Sequence, residues 1–154
     1  MPSAGSLGAT IRSGAQIGCT AVQVFTTSPK QWASKPATPA KVEEFQAACR
    51  ETGISSVVCH DSYLVNLASP DEEIRAKSFE SLKAEMERCA AYGIPRLVSH
   101  IGACKGQDIG VTLDRARESI LAMLGETPDT VVLLMETTAG QGSDLNSRFE
   151  ELAI

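Results

Sequence analysis

The chain has 154 residues, of which 43% are hydrophobic and 21% charged, so its length and composition predict about one ordinary globular domain. No apolar run approaches the roughly 18 residues of a membrane span, and no N-terminal signal pattern is present, so we expect no membrane partner and a cytoplasmic location. The net charge of −5 disfavours nucleic acid as a partner when taken as a global sum, although bound metal can reverse the field locally.

Apolar periodicity predicts an alternation of helices and short, β-branched strands. In chain order the predicted elements are a helix over 5–17, a strand over 20–25, a helix over 39–52, a strand over 54–59, a helix over 70–92, a strand over 96–100, a helix ending near Gly125, a strand over 131–136 and a helix beginning near Ser143. The strands are almost continuously apolar, which is typical of parallel strands covered on both faces.

Capping residues mark the beginnings of two helices. Thr38 and Pro39 predict an N-cap and a first helical residue, with Gly53 beyond the far end. Ser69 and Glu72 predict a capping box that begins the next helix, with Pro70 at its first position.

Three helices carry apolar stripes at spacings of three and four. The residues on these stripes are Ile74, Ser78, Leu82, Met86 and Cys89 in one helix, Leu113, Ala116, Ile120 and Met123 in the next, and Leu145, Phe149 and Leu152 in the last. Strands alternating with helices predict an α/β fold with a parallel sheet and right-handed crossovers. No linker or repeat is evident, so residues 1–154 are predicted to form a single domain. Five scattered cysteines without a C-x-x-C pair indicate reduced thiols.

Three polar residues occupy equivalent places at the ends of successive strands. His60, His100 and Glu136 each follow an apolar run, and the chain has only two histidines. The C-terminal ends of adjacent parallel strands converge on one mouth in (β/α) barrels. Two imidazoles and a carboxylate are the His₂Glu ligand set of a catalytic zinc site, so these three residues are candidate metal ligands and catalytic residues. A single strand-end histidine is more often a hydrogen-bonded loop residue, and the hypothesis therefore depends on all three converging.

The loop after the first strand is a weaker candidate. Lys30 and Trp32 could contact nucleic acid by charge and stacking. A solvated loop with one half-buried tryptophan explains the same residues equally well.

Several segments resemble the endonuclease IV family of apurinic/apyrimidinic (AP) endonucleases. HDSYLVNLASP (60–70) resembles the family's first signature, and METTAGQGS (135–143) is similar to its I-E-N-T-A-G-Q-G-S segment. RLVSHIGA (96–103) is similar to the strand carrying H-P-G-S-H, and FTTSPKQW (25–32) to the F-T-x-N-x-R-Q-W loop. The resemblance covers nearly the whole chain.

The resemblance implies a TIM barrel whose trinuclear zinc site hydrolyses the phosphodiester 5′ to an abasic site during DNA base excision repair. It implies that His60 and His100 bind one zinc and that Glu136 bridges to a second. It also places Tyr63 and Leu64, with Lys30 and Trp32, at the rim that faces double-stranded DNA.

The chain departs from the family pattern in its local sequence and in its length. Lys30 replaces an arginine, Thr137 replaces an asparagine, and Ile101 and Cys104 alter the H-P-G-S-H loop. The family's first strand and its ligand-bearing C-terminal half are missing, which implies a partial barrel of about four strands with an exposed inner face. A second chain that completes the barrel is therefore an implied partner, and activity of this polypeptide alone is doubtful. The alternatives are a metal-dependent sugar isomerase or epimerase barrel and a non-catalytic half-barrel.

Overall fold

Four parallel strands form one sheet in the computed structural model, which describes residues 5–32 and 35–153. The elements in chain order are helix α1 (Leu7–Gln16), strand β1 (Ala21–Val24), helix α2 (Pro39–Thr52), strand β2 (Ser56–His60), helix α3 (Glu72–Tyr92), strand β3 (Arg96–Ser99), helix α4 (Ile109–Leu124), strand β4 (Val132–Met135) and a 3₁₀ helix (Phe149–Leu152). The predicted α/β fold of four parallel strands with flanking helices is confirmed, with strands slightly shorter than predicted.

The sheet order β1-β2-β3-β4 follows the chain. Val24 pairs with Cys59, His60 with Val98, and Ser99 with Met135, so the carboxyl ends of the strands lie at one edge. This register brings His60, His100 and Glu136 to the same mouth.

The helix caps explain where the helices begin. Ser6 accepts a hydrogen bond from the Ala9 amide (3.1 Å), and Thr38 caps α2 as predicted, with Gly53 left-handed at φ 73° beyond the end. The predicted capping box at Ser69 is wrong. Asp71 is the N-cap of α3 and its carboxylate accepts from the amides of Glu73 (2.9 Å) and Ile74 (3.1 Å). An ionised carboxylate at an N-cap also gains from the helix dipole, which explains why Asp71 is favoured over Ser69 here.

The predicted helix from Ser143 is also wrong. Asn146, which lies inside the predicted helix, has a positive φ of 66°, which a right-handed helix cannot contain, and Gly140 and Gly142 just before it are also left-handed. Leu145 is instead buried in an apolar cluster with Ile101, and only Phe149–Leu152 form a short 3₁₀ turn. Phe149 is 79% exposed rather than packed on a helix face.

Only one face of the sheet is covered by the described helices. Side chains alternate between the two faces of each strand. Val22, Val57 and Leu97 point into the core beneath the helices. The apolar stripes predicted for α3 and α4 are largely buried, except for Ile74. On the opposite face, Val132 is 57% exposed and Leu134 36% exposed.

The expectation that both faces are covered is therefore wrong for the described residues. Among the described residues, β1 and β4 are the edge strands of the sheet, and each pairs with one strand only. Among the described helices, none is both long and apolar enough to cross a membrane.

Candidate metal centre

The three predicted ligands meet at the carboxyl edge of the sheet. The Glu136 Oε2 atom lies 3.2 Å from His60 Nε2 and 3.5 Å from His100 Nε2. The two imidazole rings have centroids 5.3 Å apart. One ligand atom from each residue lies within 4.8 Å of the other two, so a single cation could contact all three. The convergence required by the sequence hypothesis is therefore present.

Backbone and carboxylate contacts fix the orientation of His60. Its Nδ1 atom lies 3.0 Å from the Asp61 carbonyl oxygen and 3.3 Å from Asp61 Oδ1. A proton on Nδ1 donates to these oxygens, which leaves the Nε2 lone pair free toward Glu136 and a cation. Ser99 in turn donates to Asp61 Oδ2 at 2.5 Å, so the buried carboxylate is held from the neighbouring strand.

The electrostatics of the mouth favour a positive charge. Burial opposes protonation of His60, but hydrogen bonds to Asp61 and Glu136 outweigh it and raise the pKa of His60 from 6.5 to about 9. Burial raises the pKa of the Asp61 carboxyl, and the hydrogen bonds from His60 and Ser99 oppose that rise. A mouth that stabilises an imidazolium also stabilises a bound cation, because both place positive charge between the same carboxylates.

The donor set fits a divalent transition metal. Imidazole nitrogen and carboxylate oxygen are ligands that zinc accepts, and three protein ligands leave a position open for water or substrate. The buried Nδ1 atom of His100 has no hydrogen-bond partner among the described residues, so this end of the site is incompletely satisfied. His60, His100 and Glu136 could together hold one cation.

The loop after β3 is held by Asn66, which sequence reasoning missed. Its side-chain amide donates to the Ala103 carbonyl (3.2 Å), and its Oδ1 accepts from the Ala103 amide (3.3 Å). Gly102, which directly precedes Ala103, has φ 124°, and a Cβ there would lie 2.1 Å from Asn66 Oδ1. Only glycine fits this position, which fixes the backbone immediately after His100.

The loop after β4 is held by the residues that the wrong helix prediction covered. The Asn146 side chain donates to the Glu136 carbonyl at 3.4 Å, and the Thr138 hydroxyl donates to the Leu145 carbonyl at 2.8 Å. The Cys104 amide donates to the Ser143 carbonyl at 2.8 Å, which ties this loop to the loop after β3. The two loops therefore support His100 and Glu136 together.

Three of the four predicted DNA-contacting residues line one cavity beside the metal centre. Trp32, Tyr63 and Leu64 surround a space of about 830 Å³ that also reaches His100. Tyr63 is 62% exposed and makes an edge contact with Phe25, with ring centroids 5.4 Å apart. Lys30 is exposed on the same loop as Trp32 but does not line the cavity.

Sequence reasoning missed a cationic residue that lines this cavity. Lys105 lines it in a left-handed conformation (φ 49°), and the sequence alone carried no signal for it. The position of Asp61 next to His60 in the sequence could have indicated its role, whereas the role of Asn66 depends on a contact 37 residues away.

Comparison with known proteins identifies the family. The model of the xylose isomerase-like TIM barrel family matches residues 11–153, and the chain belongs to this family. The probable endonuclease 4 of Chloroflexus aggregans is 41% identical over 154 residues, covering 99% of this chain and 54% of the relative. The resemblance to the endonuclease IV family predicted from the sequence is confirmed. The chain spans about half the length of the curated relatives it matches.

Solved structures agree with this assignment. The crystal structure of endonuclease IV from Thermus thermophilus superposes with a TM-score of 0.80 and 34% identity, covering 96% of this chain and 52% of that one. A D-tagatose 3-epimerase-like protein superposes with a TM-score of 0.76 at 15% identity, over 96% of this chain and 55% of that one. The second likeness shows the shared barrel fold alone. The partial TIM barrel is thus confirmed.

Proposed function

We propose that this chain carries the first half of a zinc-dependent AP endonuclease that hydrolyses the phosphodiester 5′ to abasic sites in double-stranded DNA. In this proposal it works in cytoplasmic base excision repair, and residues 1–154 form one incomplete barrel domain. The remaining strands come from a second polypeptide or from further sequence. The observation that carries the proposal is the convergence of His60, His100 and Glu136 in a chain 41% identical to a probable endonuclease 4.

The residues of the mouth have separate tasks in this proposal. His60 and His100 would hold the metal, and Glu136 between them would provide a carboxylate that a second metal could share. A bound metal would supply an activated water and charge stabilisation for the departing oxygen. Asp61 keeps the His60 Nε2 atom available through its contacts with Nδ1.

The cavity beside the metal centre suits an unstacked stretch of DNA. Tyr63 and Trp32 present aromatic surface, and base-aromatic stacking contributes about 1–3 kcal/mol per base in single-stranded recognition. Lys105 in the cavity lining and the exposed Lys30 on the loop that carries Trp32 supply cationic contacts for phosphates, beside the acidic Asp71 and Asp144 of the same lining. Lys30 cannot form the two parallel hydrogen bonds of the arginine that it replaces.

A nicking assay tests the proposal. The purified chain, with zinc, is mixed with duplex DNA that carries one abasic-site analogue, both alone and with a polypeptide covering the remaining half of a full-length relative. His100→Ala, purified identically, controls for contaminating host nuclease. We expect cleavage 5′ to the lesion, stronger with the complementing half and absent from the variant.

Three outcomes would contradict the proposal. Cleavage equal in wild type and His100→Ala would show that this mouth is not responsible. Turnover of a ketohexose without any cleavage of abasic DNA would assign the mouth to sugar epimerisation instead. If neither substrate reacts even with the complementing half present, the chain is a non-catalytic half-barrel.

A further inference from the structure

A second cluster of potential ligands lies on the opposite side of β2 from the mouth. Cys59, on β2, and Glu85 and Cys89, one turn apart on α3, bring two thiols and a carboxylate together. One ligand atom from each lies within 4.8 Å of the other two. Both cysteines are completely buried and Glu85 is 4% exposed, so the cluster is part of the core rather than of the surface.

The spacing of these atoms is close to that of a metal coordination sphere. Cys59 Sγ lies 3.2 Å from Glu85 Oε1, where the thiol donates a hydrogen bond. Around a tetrahedral zinc ion with sulfur at about 2.3 Å and oxygen at about 2.0 Å, neighbouring ligand atoms lie about 3.5 Å apart. The distance between Cys59 Sγ and Glu85 Oε1 is therefore close to that of two ligands on one ion, and Cys89 offers a third ligand atom within 4.8 Å of both.

The carboxylate of Glu85 is oriented by its other contacts. Arg88 forms a buried ion pair with Oε2, which leaves Oε1 facing Cys59 and the Thr26 hydroxyl. The Arg88 Nε atom also donates to Thr26 Oγ1 at 3.1 Å. An arginine behind a liganding carboxylate is the kind of outer contact that fixes ligand geometry at metal sites.

The charges balance with or without a metal. With both thiols protonated, Glu85 and Arg88 are a neutral pair. When a divalent cation binds, the two thiol protons leave to solvent and the two thiolates neutralise the ion. The buried cluster carries no net charge in either state, so loading avoids the cost of a bare charge in the core.

We propose that Cys59, Cys89 and Glu85 form a second, buried metal site for a thiophilic divalent cation such as Zn²⁺. Thiolate ligands distinguish it from the nitrogen and oxygen ligands of the mouth, and they favour soft cations. The site joins α3 to β2 directly behind His60, and through Thr26 it reaches the end of β1. Its existence does not depend on nuclease activity.

Cobalt substitution tests the site under reducing conditions. Co²⁺ is titrated into the intact metal-free chain, and the sulfur-to-cobalt charge-transfer band in the near ultraviolet is followed. We expect the band to saturate at one equivalent of sulfur-bound metal per chain. His100→Ala should keep the band, because the mouth contributes no sulfur.

Matched cysteine variants identify the ligands. Cys59→Ser and Cys89→Ser should each lose the band, whereas Cys19→Ser and Cys104→Ser, which alter partly exposed thiols outside the cluster, should retain it. Far-ultraviolet circular dichroism verifies that each variant is folded. X-ray absorption of zinc-loaded His100→Ala, which needs no change in the cluster, should show two sulfur neighbours per zinc. No sulfur neighbour, or a band that survives Cys59→Ser, would mean that the cluster is only a hydrogen-bonded part of the core.

Discussion

Replacing Gly102 by alanine should destabilise the loop that follows His100. The added Cβ would lie 2.1 Å from Asn66 Oδ1 and 2.9 Å from the Asn66 Cα, and the backbone is at φ 124°, where side chains are strained. Strain at such a position costs about 1–3 kcal/mol. Overpacking against a buried neighbour costs about 1–3 kcal/mol more, so the free energy of unfolding should fall by about 2–6 kcal/mol.

Gly106 in the same loop provides the matched control. It also has a positive φ of 82°, but an added Cβ would meet nothing within 4 Å. Gly106→Ala should therefore show backbone strain alone, about 1–2 kcal/mol. Urea unfolding followed by circular dichroism measures both variants. Equal losses in the two variants would refute the claim that Asn66 and Gly102 are packed as described.

Three further changes have defined expected outcomes. Asp61→Asn should weaken zinc binding at the mouth about 10- to 100-fold, measured by competition with a chromogenic chelator. Asp114→Asn, which changes an exposed aspartate, should leave zinc affinity unchanged. Equal zinc affinities of the two variants would show that Asp61 does not support the site. The raised pKa of His60 contributes stability to the metal-free chain. This contribution is fully present below pH 6.5 and is lost as pH rises through 9. The free energy of unfolding should therefore fall by at most about 3 kcal/mol over that range. His60→Gln should flatten this dependence, and a pH profile unchanged in that variant would contradict the assignment. Tyr63→Ala should weaken binding to abasic duplex by about 1–3 kcal/mol in a fluorescence anisotropy titration, and an unchanged affinity would place the DNA elsewhere.

The sequence predicted the features that depend on local pattern. Short β-branched runs located every described strand, and apolar stripes located α3 and α4, because hydrophobic periodicity is a property of neighbouring residues. The residues at its two ends located α2. Parallel pairing then follows from the alternation of elements, and it brings His60, His100 and Glu136 to one edge. The convergence of these three candidate ligands could therefore be inferred without coordinates.

Features that depend on distant contacts could not be predicted. The support of the loop after β3 comes from Asn66, and the core cluster behind β2 joins Cys59 to residues on α3, so neither is visible in local spacing. The helix predicted after Ser143 was wrong for another reason. Its apolar spacing resembled a helix, but the left-handed Asn146 and the burial of Leu145 determine its conformation.

The central claim is that three side chains from successive strand ends bind one metal ion. Anomalous diffraction at the zinc edge, from crystals of the zinc-loaded chain, tests it most directly. The account predicts a peak about 2.0–2.2 Å from His60 Nε2, an imidazole nitrogen of His100 and a carboxylate oxygen of Glu136. A map with the strands as described but no anomalous peak at this mouth would contradict it.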